Sequence, residues 1–353
     1  AQFASITGVF GVSFWMVLVN VLLLEALLSG RRRRLTLSLA CGALFALPWL
    51  HGALVMGAGL PEDAETLRVA VIQPNIPAER KWDEDYKDES FRVLTGLTLA
   101  ASAGDSLDLV LWPETAAPSY LLREPQYLDL VAESAREAGA PILTGCPDLE
   151  YEVETAALRT TNSVLLVLPD GRVPDKYDKI HLVPFGEAIP FESVFPVLRR
   201  VDFGEADFSP GKQRTVFETS GARFGALICF ESIFPRLARQ FVGGGAELLV
   251  NVTNDVWYGR TSMPFQHAAM ALMRSVENRR SVVRSANSGV SLVTDPFGRV
   301  VARLGIFERG ALVEDVQVTK ATTFYSRHGD VFPWSALVLS FGLVGLGFVR
   351  GRR

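Results

Sequence analysis

The chain has 353 residues, with 35 Lys and Arg against 39 Asp and Glu, a net charge of −4 and 48% hydrophobic residues. That length allows two domains or one large one, while a near-neutral charge without a basic stripe excludes an electrostatic nucleic-acid footprint. Cys41, Cys146 and Cys229 form no Cys-x-x-Cys pair and no Cys/His cluster, so no zinc or other metal site is expected.

Residues 3–29 are almost wholly apolar, interrupted only by Asn20 and Glu25 among strongly polar residues. Residues 35–60 form a second such stretch and residues 331–349 a third. Each approaches the roughly 20 residues that cross a hydrocarbon core of about 30 Å as a helix, the form that satisfies its own backbone groups in lipid. The first stretch lacks the basic start and small-residue cleavage site of a signal peptide and is too long for one, so it reads as a span. It begins at Ala1 without an initiator Met, as a piece of a longer membrane protein would. The arginines at 31–34 and the tail Arg350-Gly-Arg-Arg353 are expected on the cytoplasmic side. The block at 66–317 then lies on the opposite face, which in a bacterium is the periplasmic side of the inner membrane.

Within that block the apolar and β-branched runs predict strands at 68–73, 107–112, 141–144, 163–168, 223–229, 247–252, 281–285 and 289–294. Helical spacing predicts helices at 83–101, 126–138, 232–242 and 264–279. Their alternation argues for a layered α/β domain. The stretch 186–211 departs from this pattern, with Phe191, Phe195, Phe203 and Phe208 among prolines and glycines, and Phe185 just before it. Such a loop is either packing cover or a functional surface touching lipid or substrate.

Cys229 ends the run Gly225-Ala-Leu-Ile-Cys and precedes the helix expected near Ser232. There the helix dipole favours a thiolate, and the Phe230 amide is positioned to help hold an oxyanion. Read alone, the same cysteine is small core filler. Glu114 follows Leu109-Val-Leu-Trp-Pro, a charged acid at the mouth of a buried strand. Burial there tunes a carboxyl toward general-base use, although an acid after a proline turn is also an ordinary helix start. Lys179 lies three residues after Lys176, so on a strand only one of them can face a site.

Taken together, Trp112-Pro-Glu114, Lys179-Ile-His-Leu-Val-Pro-Phe-Gly-Glu187 and Cys229-Phe-Glu231 resemble the nitrilase, or carbon–nitrogen hydrolase, superfamily. Within it the chain is most similar to the bacterial apolipoprotein N-acyltransferases. The further motifs are Val71-Ile-Gln-Pro-Asn-Ile-Pro, Lys81-Trp-Asp, Asn254-Asp-Val-Trp-Tyr-Gly259, Gln266-His267 and Val283-Arg-Ser-Ala-Asn-Ser-Gly289. The resemblance implies a four-layer αββα sandwich with a Glu-Lys-Cys triad: Glu114 as base, Lys179 as electrostatic clamp and Cys229 as nucleophile. It implies supporting roles for Glu187 and Glu231, and a place near the substrate entrance for Trp257. Phe230 stands where some members carry a tyrosine, and members carry more N-terminal spans than the two visible here. The implied activity moves an acyl chain from a phospholipid, such as phosphatidylethanolamine, to a diacylglyceryl apolipoprotein without metal or organic cofactor. A tethered amidase using water as acceptor and a silent membrane scaffold are the rival expectations.

Overall fold

A computed structural model describes residues 1–60, 65–77, 84–104, 106–152, 157–189, 208–219 and 221–350. The Lys81-Trp-Asp motif, residues 190–207 of the aromatic stretch with Phe191, Phe195 and Phe203, and the last three residues of the basic tail lie outside them. The chain divides into two units. One comprises Ala1–Ala64, Val276–Arg279 and Ala321–Arg353; the other comprises Glu65–Ser275 and Arg280–Lys320.

The first unit contains helices α1 (Ala4–Leu28) and α2 (Arg31–Ala58). Among the described residues three helical stretches are long and apolar enough to cross a membrane: these two and Val331–Phe348 of the last helix. Gly8 breaks α1 with φ +67°, and a Cβ there would meet the Tyr325 ring at 2.7 Å, so only glycine fits both the torsion and the contact. The break frees the Val9 amide, which donates to Glu277 Oε1 at 2.8 Å.

The second unit is built on two six-stranded sheets. The first contains β1 (Thr66–Gln73), β2 (Leu109–Leu111), β3 (Ile142–Glu152), β4 (Ala157–Val167), β5 (Lys176–Asp178) and β12 (Gly310–Gln317), in the order β12-β1-β2-β3-β4-β5. The second contains β6 (Val216–Glu218), β7 (Arg223–Ile228), β8 (Leu248–Thr253), β9 (Val282–Ala286), β10 (Ser291–Thr294) and β11 (Val300–Leu304), in the order β11-β10-β9-β8-β7-β6. Each has a parallel centre, β1-β2-β3 or β7-β8-β9, with antiparallel strands outside it.

Strand alternation makes the layers. Val69, Val71, Leu109 and Leu111 share a core with Phe224, Ala226, Ile228, Val250 and Val252 of the second sheet. Their neighbours Ala70, Ile72, Val110 and Trp112 turn outward onto Phe91 and Leu94 of α3 (Glu84–Ser102) and Val131 and Ala135 of α4 (Pro125–Ala138). Helix α5 (Pro235–Gly243) sets Leu237 and Phe241 against the second sheet. Helix α6 (Met263–Asn278) adds Ala268 against Val290 and Leu292. This is the expected αββα sandwich.

The helix expected at 232–242 starts later. A 3-10 turn occupies Cys229–Ile233, and α5 begins only at Pro235. A dipole acting within the first turn of a helix therefore does not reach Cys229. Four strands escaped the sequence pattern: β5 and β6 have three residues each, β11 is mostly exposed, and β12 is largely half-buried.

Candidate active site

The chemistry-bearing residues follow the carboxyl ends of strands, where open α/β sheets leave their crevice. Glu114 follows β2, Lys179 follows β5 and Cys229 follows β7. Lys179 Nζ lies 3.2 Å from Glu114 Oε1 and 2.8 Å from Glu187 Oε1, with its side chain fully buried. Lys176 points elsewhere, pairing with Asp148, Asp178 and Glu150, so the spacing of three does separate the two lysines.

Each carboxylate is held from several sides. Glu114 Oε1 accepts from Asn162 Nδ2 at 2.8 Å, and its Oε2 accepts from the Asn254 amide at 2.9 Å. Glu187 Oε1 also accepts from Asn162 Nδ2 at 3.0 Å, and Oε2 from the Val183 amide at 2.9 Å. Glu231 does not bond Lys179 directly. Its Oε1 accepts from Tyr177 Oη (2.8 Å) and from the amides of Ile180 (2.7 Å) and His181 (3.0 Å). Its Oε2 accepts from the Ile228 amide at 2.9 Å, so one buried side chain ties the Lys179 loop to the Cys229 turn.

The turns are strained where the functional groups sit. Cys229 has φ +50°, Thr115 beside Glu114 has φ +46°, and Phe185 near Glu187 has φ +64°. Left-handed torsions cost a β-branched threonine most, and such strain clusters at working sites. Gly145 permits the Glu114 turn, because a Cβ on it would lie 2.5 Å from the Thr115 amide nitrogen and 2.7 Å from Glu114 Cα.

Electrostatics couple the three groups. Burial pushes the Cys229 thiol up to about 12; the Glu114 charge pushes the same way, against Lys179 and a hydrogen bond with Thr253. The cysteine is thus held as a thiol, correcting the expectation of a dipole-favoured thiolate. Burial opposes the Lys179 charge, but Glu114, Cys229 and Glu187 outweigh it and raise its pKa, so it is an ammonium. Burial raises the Glu231 carboxyl, opposed by the His181 and Ile228 amides.

The remaining expected residues take different places. The half-buried Phe230 ring lies edge-on to Phe234 at a centroid distance of 5.2 Å, a packing contact. Trp257, on the 3-10 turn Val256–Tyr258, is 54% exposed. Its neighbour Tyr258 feels Cys229, its hydroxyl raised to about 12 by burial and then by the Cys229 charge. Sequence reasoning missed Asn162, which bridges Glu114 and Glu187, and the signal available was the polar run Thr160-Thr-Asn-Ser163 inside a strand. The motif Gln73-Pro-Asn-Ile works as scaffold: Ile76 N and O bond Asn287, whose Nδ2 reaches Asn254 Oδ1 at 3.1 Å. Among the described residues no group of three or more His, Cys, Asp or Glu side chains is arranged to hold a metal ion.

Two such sheets, with an acid, a lysine and a cysteine following their strand ends, define an α/β sandwich of the hydrolase kind, and sequence comparison gives the family. The chain belongs to the carbon-nitrogen hydrolase family, which matches residues 68–324. Its curated relatives are narrower in kind, and mark it as an acyltransferase of that family. It is 38% identical to the apolipoprotein N-acyltransferase of Geobacter metallireducens, over 99% of this chain and 67% of that one. It is 35% identical to that of Chlorobaculum tepidum, over 99% of this chain and 70% of that one. Among solved structures the fold is similar to an amidase from Nesterenkonia sp. at 22% identity, with TM-score 0.54, covering 74% of this chain and 95% of that one. It is also similar to Saccharomyces cerevisiae Nit3, of the nitrilase superfamily, at 20% identity and TM-score 0.53, covering 72% and 90%.

Proposed function

We propose that the protein transfers a fatty acyl chain from a phospholipid to the N-terminal amino group of the lipidated cysteine of apolipoproteins, the last step of lipoprotein maturation. In the first half-reaction Glu114 takes the Cys229 proton as Sγ attacks the acyl ester carbon. Lys179 and the Phe230 amide face the tetrahedral oxyanion. Collapse breaks the ester bond, and the leaving lysophospholipid oxygen takes the proton back from Glu114. The α-amino group then attacks the thioester, passes a proton to Glu114, and the amide forms as Cys229 leaves and is reprotonated. A covalent intermediate divides one difficult transfer into two easier ones.

The observation that carries this reading is the buried Lys179 ammonium 3.2 Å from the Glu114 carboxylate and coupled to the Cys229 thiol. The relatives' names support the apolipoprotein acceptor and the transfer of an acyl group to its amine. The three apolar helical stretches support a membrane setting. The arginines at 31–34, which form the first turn of α2 and not the expected loop, favour the cytoplasmic side for that end of the helix, and in this reading residues 66–317 work at the outer face of a bacterial inner membrane. We assign Glu187 and Glu231 to holding the lysine and the nucleophile turn, and Trp257 to the substrate entrance.

The test is mass spectrometry of Cys229 after incubation with phosphatidylethanolamine, followed by a diacylglyceryl-cysteine peptide. The expected result is an acyl adduct that the peptide discharges. No adduct, with full transfer by Cys229→Ala, overturns the mechanism. Ammonia release from small amides without lipid acylation would instead make the protein an amidase.

A further inference from the structure

Behind Cys229 lies a buried charged cluster that the transfer chemistry leaves unused. Asp255 follows β8, and its Oδ2 accepts from Arg284 Nη2 at 2.6 Å while Oδ1 accepts from Thr253 Oγ1 at 3.0 Å. Arg284 also donates to Asn251 Oδ1 and, at 3.2 Å, to the Val290 carbonyl. His267, on α6, sets Nδ1 2.9 Å from Asp255 Oδ1 and 3.1 Å from Arg284 Nη2, so that nitrogen has a partner in either protonation state. Its Nε2 lies 3.1 Å from both the Cys229 carbonyl oxygen, which can only accept, and Ser232 Oγ; with its proton on Nε2 the ring donates to that carbonyl. Two further donors meet the same oxygen: Ser232 Oγ at 3.0 Å and Asn251 Nδ2 at 3.3 Å.

The grip on this carbonyl has a geometric consequence. The Cys229 carbonyl and the Phe230 amide belong to one planar trans peptide, in which C=O and N–H point in opposite directions. Cys229 sits at φ +50°, a torsion that a non-glycine residue keeps only where its surroundings impose it. Fixing the carbonyl from behind therefore aims the Phe230 N–H forward, away from α6.

We propose that His267, braced by the Asp255–Arg284 pair, is a positioning residue that locks the Cys229–Phe230 peptide plane and so aims the Phe230 amide at the reaction's oxyanion. This rests on the reading of Cys229 as nucleophile. His267 touches no substrate; it acts through the carbonyl it holds.

The test uses the full chain in lipid and three variants: His267→Ala, His267→Gln and His267→Asn. Glutamine puts an amide donor where Nε2 reaches the carbonyl; asparagine puts one where Nδ1 meets Asp255. The readouts are single-turnover acylation of Cys229 by phosphatidylethanolamine, kcat and KM for the lipid, and thermal melting. Loss of one oxyanion donor costs about 100- to 1000-fold in kcat, so the alanine variant should acylate about 100-fold more slowly with KM unchanged. Glutamine should recover most of that rate and asparagine little of it. An asparagine variant at least as active as glutamine overturns the proposal, as does an alanine variant within about threefold of the native rate or a loss carried by KM. If alanine fails to fold, the glutamine–asparagine comparison decides, and failure of either of those to fold makes the role structural and overturns the proposal. A native chain that forms no acyl adduct fails the reading of Cys229 itself, a result separate from any His267 effect.

Discussion

Glu114→Gln should silence the transfer while making Cys229 more reactive toward an alkylating agent, two effects of opposite sign from one substitution. The carboxylate accepts three hydrogen bonds, from Asn162 Nδ2, Lys179 Nζ and the Asn254 amide. Glutamine keeps one acceptor oxygen for Asn162 and Lys179 and turns its NH2 toward the Asn254 N–H, leaving two donors face to face at a cost of about 1–3 kcal/mol. A general base contributes on the order of 100- to 10,000-fold, and acylation should fall by that much. The thiol responds the other way. Glu114 is the first charge that pushes Cys229 up, and Lys179 the charge that pulls it down. Removing the carboxylate takes away the largest charge acting against Lys179 at the thiol, while Glu187 keeps the ammonium paired, and a change of one pKa unit or more gives at least about tenfold more thiolate at neutral pH. Iodoacetamide kinetics followed by intact-mass spectrometry measure the second effect, and single-turnover acylation measures the first. Alkylation no faster than in the native chain, or acylation within about tenfold of it, refutes the reasoning.

In the native chain burial, with the Glu114 charge, pushes the thiol from 9.0 up to about 12. For an acid with a raised pKa the reactive thiolate appears only at higher pH, so alkylation should climb about tenfold per pH unit from 7 to 10; a plateau near pH 9 would contradict the burial argument. Gly145→Ala drives a Cβ to 2.5 Å from the Thr115 nitrogen and 2.8 Å from the Pro113 oxygen. Displacing the Glu114 turn by about 1 Å should cost roughly 100-fold in acylation, and activity near native would show that the turn tolerates the shift. Glu231→Gln loses the Ile228 amide bond and the charge behind three others. Denaturant unfolding in detergent should give a loss of about 2–4 kcal/mol, and a change under about 0.5 kcal/mol would mean that Glu231 does not tie the two loops.

The parallel strands at the centre of each sheet were legible because strands buried on both faces carry continuous apolar runs, as Leu109-Val-Leu and Leu248-Leu-Val do. Strands β5 and β6 offer three residues each, too few for a period to register. Strand β12 reads Gly310-Ala-Leu-Val-Glu-Asp-Val-Gln, and its eight-residue pairing with β1 decides its state, not its composition. The late start of α5 had a usable signal: Pro235 occupies the first turn of a helix, where its missing N–H costs nothing. Glu114 and Cys229 stood out because a charge or a thiol closes an apolar run, and Lys179 through the resemblance carried by Lys179-Ile-His-Leu-Val-Pro-Phe-Gly-Glu187. Asn162 did not, and His267 was marked only as part of a motif without a role, since a polar residue inside a strand or an amphipathic helix carries no mark of the partner that folding brings to it.

The cluster's charge balance explains why one lysine is given two carboxylates. Lys179 is buried between Glu114 and Glu187, and its pKa is raised by both and by Cys229. In the proposed first step the proton leaves Sγ for Glu114, so a negative charge moves from the carboxylate to sulfur and then to the acyl oxygen without a new charge being made. Creating a separate thiolate in this buried site would cost what holds the thiol at about 12; transferring the charge within reach of one ammonium avoids most of that. Glu187 is anchored by the Val183 amide and Asn162, and does not take the proton in this scheme. It keeps Lys179 paired through the moment when Glu114 is neutral, so the ammonium stays compensated while it faces the oxyanion. With Glu114 alone, protonating the base would leave a buried cation facing only the transient charge, and its geometry would have to be rebuilt at each turnover.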